Sequence, residues 1–208
     1  MSIVYILTNE AMPGYIKIGR TDTSVEQRMR ELDRTSTPLP FQCYYAARVE
    51  DDVRLERTLH TAFGDHRVRS SREFFRLDPY RAKVVIELLA LEDVTPGGDL
   101  FEDKESAEAV ERATRSSGRY NFKKFGVPIG AELQYSSDPS ITATVHDENS
   151  MLFQGEIVSP SKAAVMANRS RGGTATALPG PLMWVYEGES LSAIRRASLE
   201  DEEAGLED

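Results

Sequence analysis

Glu56 and His60 stand four residues apart in the segment LERTLHTAF, flanking Leu55 and Leu59. That spacing sets a carboxylate and an imidazole on one face of a helix. Such a pair holds a metal ion or orients a water. On a solvated face it is an ordinary exposed pair, and spacing alone leaves both readings open. Arg28, in VEQRMREL, lies about 60° round the helix from Val25, at the edge of an apolar stripe. An arginine there either snorkels along its own stem or points across a sheet at an anion. Tyr5 in VYIL and Lys17 in YIKI complete the set, because side chains on paired strands reach the same face. Glu73, in REFF, is a weaker candidate, since a glutamate at a strand edge is ordinarily solvated. Taken singly, none of these residues specifies a reaction.

The elements that must position them begin with a β-hairpin. Val4–Leu7 and Tyr15–Ile18 are runs of β-formers, and Pro13-Gly14 marks a turn between them. Ser24 opens a helix to Leu32 as a capping box with Gln27, and Val25, Met29 and Leu32 form its apolar stripe. Phe41–Val49 predicts a third strand. Asp51 or Asp52 caps a second helix running to about Phe63. Arg72–Leu77 reads as a short strand, and Asp78-Pro79 starts a helix through Leu91.

Composition bounds the rest. At 208 residues and 40% hydrophobic, the chain buries a real core in one or two domains. No apolar run is long enough for a membrane span, and the N-terminus lacks the pattern of a signal peptide. A lone Cys43 excludes a disulfide framework, so the chain reads as cytoplasmic. The net charge of −9 is uneven: residues 1–93 carry −1, 94–117 carry −3, 118–198 carry +1 and 199–208 carry −6. Two near-neutral bodies remain, either of which can present a basic face to DNA.

The expected organisation is therefore a body at 1–93, a linker at 94–118, a second body at 119–198 and an acidic tail at 199–208, the tail solvated and without order. In the second body VPIGAELQY, SITATVHD, MLFQGEIV and LMWVYEG are runs of β-formers, and Ser159-Pro160 begins a helix through Asn168. NRSRGGT reads as a mobile loop whose Arg169, Arg171 and backbone N–H groups suit phosphate. It reads equally as a solvated loop. Trp184 reads more readily as core than as a platform for a base.

The order VYILTN, MPGYIKIGRT, VEQRMREL, LERTLHTAF and REFF, over residues 2–92, resembles the GIY-YIG nuclease superfamily, in particular its phage and meiotically-upregulated-gene branch. Residues 120–197 resemble the domain associated with restriction enzymes and adenine methylases, a reader of DNA. The first resemblance implies an α+β fold with a small three-stranded sheet and flanking helices; the second adds another small α+β domain. It further implies a hydrolase: a DNA endonuclease using magnesium or manganese, of a kind found in phage and restriction systems. Carried over by position, Glu56 is the metal ligand, Tyr5 the base and Arg28 the phosphate-stabilising group. His60 and Lys17 stand beside them, with Tyr15, Arg20, Arg169 and Arg171 as substrate contacts. The set is physically coherent. A divalent ion and a guanidinium stabilise charge that builds up at phosphorus, and a tyrosine near a metal loses its proton more easily. Val4 stands where the first motif has glycine, and Lys17 where the second has tyrosine, so Tyr15 is a second tyrosine for that role. The alternative is a non-catalytic DNA-binding or regulatory protein on the same scaffold; RNA as substrate and the oligomeric state stay open.

Overall fold

The opening hairpin forms as its sequence dictates. Strands β1 (Ser2–Thr8) and β2 (Tyr15–Thr21) run antiparallel, with Tyr5 opposite Gly19 and Leu7 opposite Lys17. In the turn, Asn9 accepts a bond from the Ala11 amide at 2.8 Å, and Gly14 takes φ 82°, where a side chain is disfavoured. The computed structural model describes residues 2–33, 37–98, 103–116 and 118–204. It divides into two compact units, Met1–Ala113 and Thr114–Asp208, both of the α+β class.

In the first unit, helix α1 (Val25–Leu32) is capped by Ser24, whose Oγ accepts the Gln27 amide at 3.1 Å. Only that half of the expected capping box is made, because the Gln27 side chain reaches Glu31 at 3.4 Å instead. Strand β3 (Gln42–Val49) pairs with β1. Asp51 caps helix α2 (Asp52–Ala62) through the Arg54 amide at 2.9 Å, which leaves the Asp52 carboxylate for another partner. Strand β4 (Phe74–Arg76) adds to β2, and helix α3 (Pro79–Glu87) follows its Asp78 cap. The sheet has five strands in the order β4-β2-β1-β3-β5, not the three expected. The unforeseen strand β5 (Ala90–Asp93) occupies the end of what reads as a longer α3. Leu88, Leu89 and Leu91 suggest that extension, yet all three are exposed. Helix α4 (Lys104–Ser116) ends the segment.

The sheet buries both faces. Ile3, Tyr5 and Leu7 point to one side and pack with Val25, Met29 and Phe41. Val4, Ile6, Ile16 and Ile18 point to the other, where α2 and α3 lie over β1. Successive β2 residues therefore address opposite faces, and a site at the edge of β2 can recruit side chains from both.

The second unit is a six-stranded antiparallel sheet in the order β11-β10-β6-β7-β8-β9. Its strands are β6 (Glu132–Tyr135), β7 (Asp138–Val145), β8 (Met151–Phe153), β9 (Glu156–Val158), β10 (Trp184–Tyr186) and β11 (Glu189–Ser190). Helices α5 (Pro160–Ser170), α6 (Gly180–Met183) and α7 (Leu191–Ala204) complete it. MLFQGEIV is a hairpin rather than one strand: Gln154 and Gly155 turn it at φ 50° and 84°. Both central residues at positive φ are the mark of a two-residue turn that matches strand twist. Trp184 is fully buried, donates to the Pro160 carbonyl at 3.0 Å and packs edge-on against Tyr135 and Phe153. It is core. Helix α7 runs on to Ala204, so the acidic segment begins helical rather than as solvated coil; residues 205–208, like 99–102 and 117, lie outside the described residues.

Candidate functional site

The site arises where β4 stops. Pairing of β4 with β2 ends at Lys17 opposite Phe74. Ile18 then donates its amide to the Glu73 carbonyl at 3.2 Å, while its own carbonyl meets Nε2 of His60 at 3.2 Å. A nitrogen facing a carbonyl oxygen carries the hydrogen, so His60 donates there. The ring of Phe75 lies 5.1 Å from the His60 ring and fixes it further. Helix α2 thus reaches the outer edge of β2 from one face of the sheet.

From the other face comes Tyr5. Its ring lies across Gly19, and a β-carbon at position 19 would stand 2.6 Å from Oη and 2.8 Å from Cζ. This explains the glycine of KIGRT: it opens the path by which a β1 side chain crosses β2. Tyr5 is 1% exposed, so its ring has no room to withdraw. Gly19→Ala is expected to cost about 1–3 kcal/mol, the usual penalty for overpacking, read as a lower denaturation midpoint at unchanged slope. At the far end of the ring Oη accepts from Nε of Arg28 at 3.2 Å. Arg28 also donates to Glu31 at 3.0 Å, so it is turned toward the tyrosine rather than only laid along its own stem.

Lys17 is buried, ion-paired with Glu73 and 5.7 Å from the Phe74 ring. Its ammonium is committed to a carboxylate. Glu56 meets Nε of Arg20 at 3.5 Å, and Arg20 also bonds Asp52 at 3.0 Å. Arg20 therefore anchors α2 carboxylates to β2. It is not a free substrate contact. Tyr15, at the start of β2 opposite Arg76, shares the face of Lys17, but no hydrogen bond or ring contact ties it to the cluster among the described residues.

Electrostatics bind the cluster together. Burial, then the charge of Glu73, push the Glu56 carboxyl above its ordinary range; His60, Arg20 and Lys17 oppose this without cancelling it. Burial also raises Glu73, but there the hydrogen bond and charge of Lys17, with His60 and Arg28, win and hold it low. Burial lifts the Tyr5 phenol more than the Arg28 hydrogen bond and charge lower it, so Tyr5 keeps its proton at neutral pH. Two carboxylates in range of one another are thus driven apart in proton affinity, a pattern typical of functional sites.

Among the described residues no group of three or more His, Cys, Asp or Glu side chains could hold a metal. One half-buried carboxylate, raised in pKa although Arg20 stands 3.5 Å away, has the chemistry to join a hydrated hard divalent ion. Magnesium keeps most of its waters and takes one or two carboxylates with phosphate oxygens. Glu56 has that character.

Arg169 and Arg171 are in the second unit and are described within it. Arg169 lies in the last turn of α5 and Arg171 caps it, its Nε 3.9 Å from Asp138. The loop expected to offer free amides uses them itself. Gly172 donates to the Arg169 carbonyl at 2.9 Å, Gly173 to the Asn168 carbonyl at 2.9 Å, and Ala175 to Asn168 Oδ1 at 3.3 Å.

Sequence reasoning underrates Glu73 and misses Asp52. The signal for Glu73 is the buried lysine: Lys17 on an inward-facing strand position demands a carboxylate nearby. Residues 2–90 match the T5orf172 domain, which is found in phage and nuclease-like proteins. No curated protein and no solved structure matches the chain. The matched stretch contains every residue of the cluster around β2, and no helix of the described residues is long and apolar enough to cross a membrane.

Proposed function

We propose that the chain is a divalent-metal-dependent endonuclease acting on DNA, its first unit carrying the chemistry and its second part of the affinity for duplex. One observation carries this reading: Tyr5, from one face of the sheet, accepts from Arg28 at 3.2 Å and feels the charge of Glu56 on α2, which lies over the other face. Glu56 would hold magnesium or manganese, which when bound supplies Lewis-acid stabilisation of the scissile phosphate and its leaving oxygen. Arg28, anchored through Nε and Nη1, presents its guanidinium to charge developing on the phosphoryl oxygens. Tyr5 accepts from Arg28, keeps its own proton and is 1% exposed, so in this reading it orients the guanidinium from below. His60, held by the Ile18 carbonyl, fixes the α2 end of the site.

Support for the second unit as a DNA contact comes from the guanidiniums of Arg169 and Arg171 and from its resemblance to a DNA-reading domain; Lys123 and Lys124 are cations too, paired with Glu148 at 3.4 Å and Glu202 at 3.2 Å. A non-catalytic binding protein is the second reading. It is favoured by Arg20, whose guanidinium already supplies Glu56 with positive charge at 3.5 Å. Incubation with supercoiled plasmid distinguishes the two. Nicked and linear products are expected with magnesium or manganese and none with a chelator. Retardation of the plasmid without any nicking, whatever the metal, would establish the binding reading instead.

A further inference from the structure

The Lys17–Glu73 pair has a form that neither stability nor phosphate binding explains. The Lys17 side chain is 8% exposed and that of Glu73 40% exposed, so the pair has a buried end and a wet end. A buried ion pair is a poor source of stability, and apolar side chains of like volume serve as well or better. The ammonium takes Oε2 of Glu73, and among the described residues Oε1 has no hydrogen-bond partner. That free oxygen belongs to the residue whose carbonyl receives the Ile18 amide, so its backbone is fixed to the same edge that His60 closes. The carboxylate also feels the charges of His60 and Arg28, and acts in turn on Tyr5 and Glu56.

We propose that Glu73 is the general base that activates the attacking water, with Lys17 as the positioning residue that aims it; this rests on the nuclease reading above. The water gives a proton to Oε1 as its O–H bond breaks, and its oxygen forms the new bond to phosphorus. The bond from phosphorus to the leaving oxygen breaks with the electron pair going to that oxygen, which takes a proton from solvent. Glu73 returns its own proton to solvent, so one water is consumed and no other reactant is needed. Tyr5 is the weaker choice for this task because it is protonated and its oxygen already accepts from Arg28. Glu73 is ionised throughout the neutral range, held so by Lys17 against burial.

The test is chemical rescue of Glu73→Ala in the full chain, on plasmid DNA with magnesium. A lost general base lowers kcat by about 10²–10⁴-fold, with KM for DNA unchanged, and added formate, a small carboxylate that fits beside Lys17, restores much of the rate. Lys17→Met lowers kcat as well, but formate does nothing for it, because its carboxylate is present and only misaimed. Glu73→Ala that cuts at the wild-type rate, or a loss that formate leaves untouched, overturns the assignment. Should the stranded Lys17 unfold the single variant, Lys17→Met/Glu73→Gln removes both charges together. It is expected to melt near wild type with kcat lost and KM kept, and an intact rate there is equally fatal. Wild type that nicks nothing with any metal defeats the nuclease reading itself, before any variant is made, and this assignment falls with it.

Discussion

Glu56→Gln is expected to abolish plasmid cleavage and to leave the melting midpoint at or above that of wild type. Glutamine keeps the length of the side chain and its reach toward Arg20, which retains its stronger bond to Asp52 at 3.0 Å. Only the charge is lost. That charge is not a source of stability, because burial and Glu73 raise the carboxyl of Glu56 in the folded chain. A folded-state pKa raised above the unfolded value makes the ionised carboxylate a cost at neutral pH, relieved as pH falls through the raised pKa. Removing it therefore costs nothing in folding, while on the proposed reading it removes the carboxylate that would hold the divalent ion. Cleavage by the glutamine variant at the wild-type rate would place the metal elsewhere.

Arg28→Lys is expected to fail nearly as badly as Arg28→Ala, each losing about 10²–10³ in kcat, the typical effect of removing one charge-stabilising donor. Arg28 uses Nε for Tyr5 and Nη1 for Glu31, and a single ammonium cannot hold both partners and still face a phosphate. A thermal melt belongs beside the kinetics. Arg28 is about one-third exposed, with a side-chain accessibility of 35%, so its truncation leaves the core of α1 in place. A large fall in melting temperature in both variants, with little change in kcat for the folded fraction, would show that its stem is packing rather than chemistry.

Much of the first unit was legible because its signals are local. Ser24, Asp51 and Asp78 each accept the amide their positions predict, at 3.1, 2.9 and 3.1 Å. The hairpin follows from two β-rich runs and Pro13-Gly14. Strand β5 was not legible, since an apolar run such as LLALED has no period that separates helix from strand, and only pairing with β3 decides it. The turn at Gln154-Gly155 lacks the Asn-Gly or Asp-Gly signature, so two short strands read as one. Within the site, residue types and order pointed to Tyr5, Arg28 and Glu56. They could not show that Arg20 and Lys17 are each held by carboxylates, because those partners lie 32 and 56 residues away in sequence. Arg169 was placed in a loop because its glycines are read as flexible, whereas Gly172, at φ 84°, serves to end α5.

The short β4 leaves the outer edge of β2 without a strand partner beyond Ile18, since ladder pairing stops at Lys17 while β2 continues to Thr21. An unpaired strand edge is a template for association with another copy, and proteins guard such edges with charge. Here the guards are Arg20 and Glu73, whose side chains are 36% and 40% exposed. The charges that hold the site together are thus also charges of the kind that oppose pairing along that edge. Neutralising them is expected to remove a deterrent to edge-to-edge aggregation, so loss of soluble protein becomes a second route by which the same substitutions would lower any measured activity.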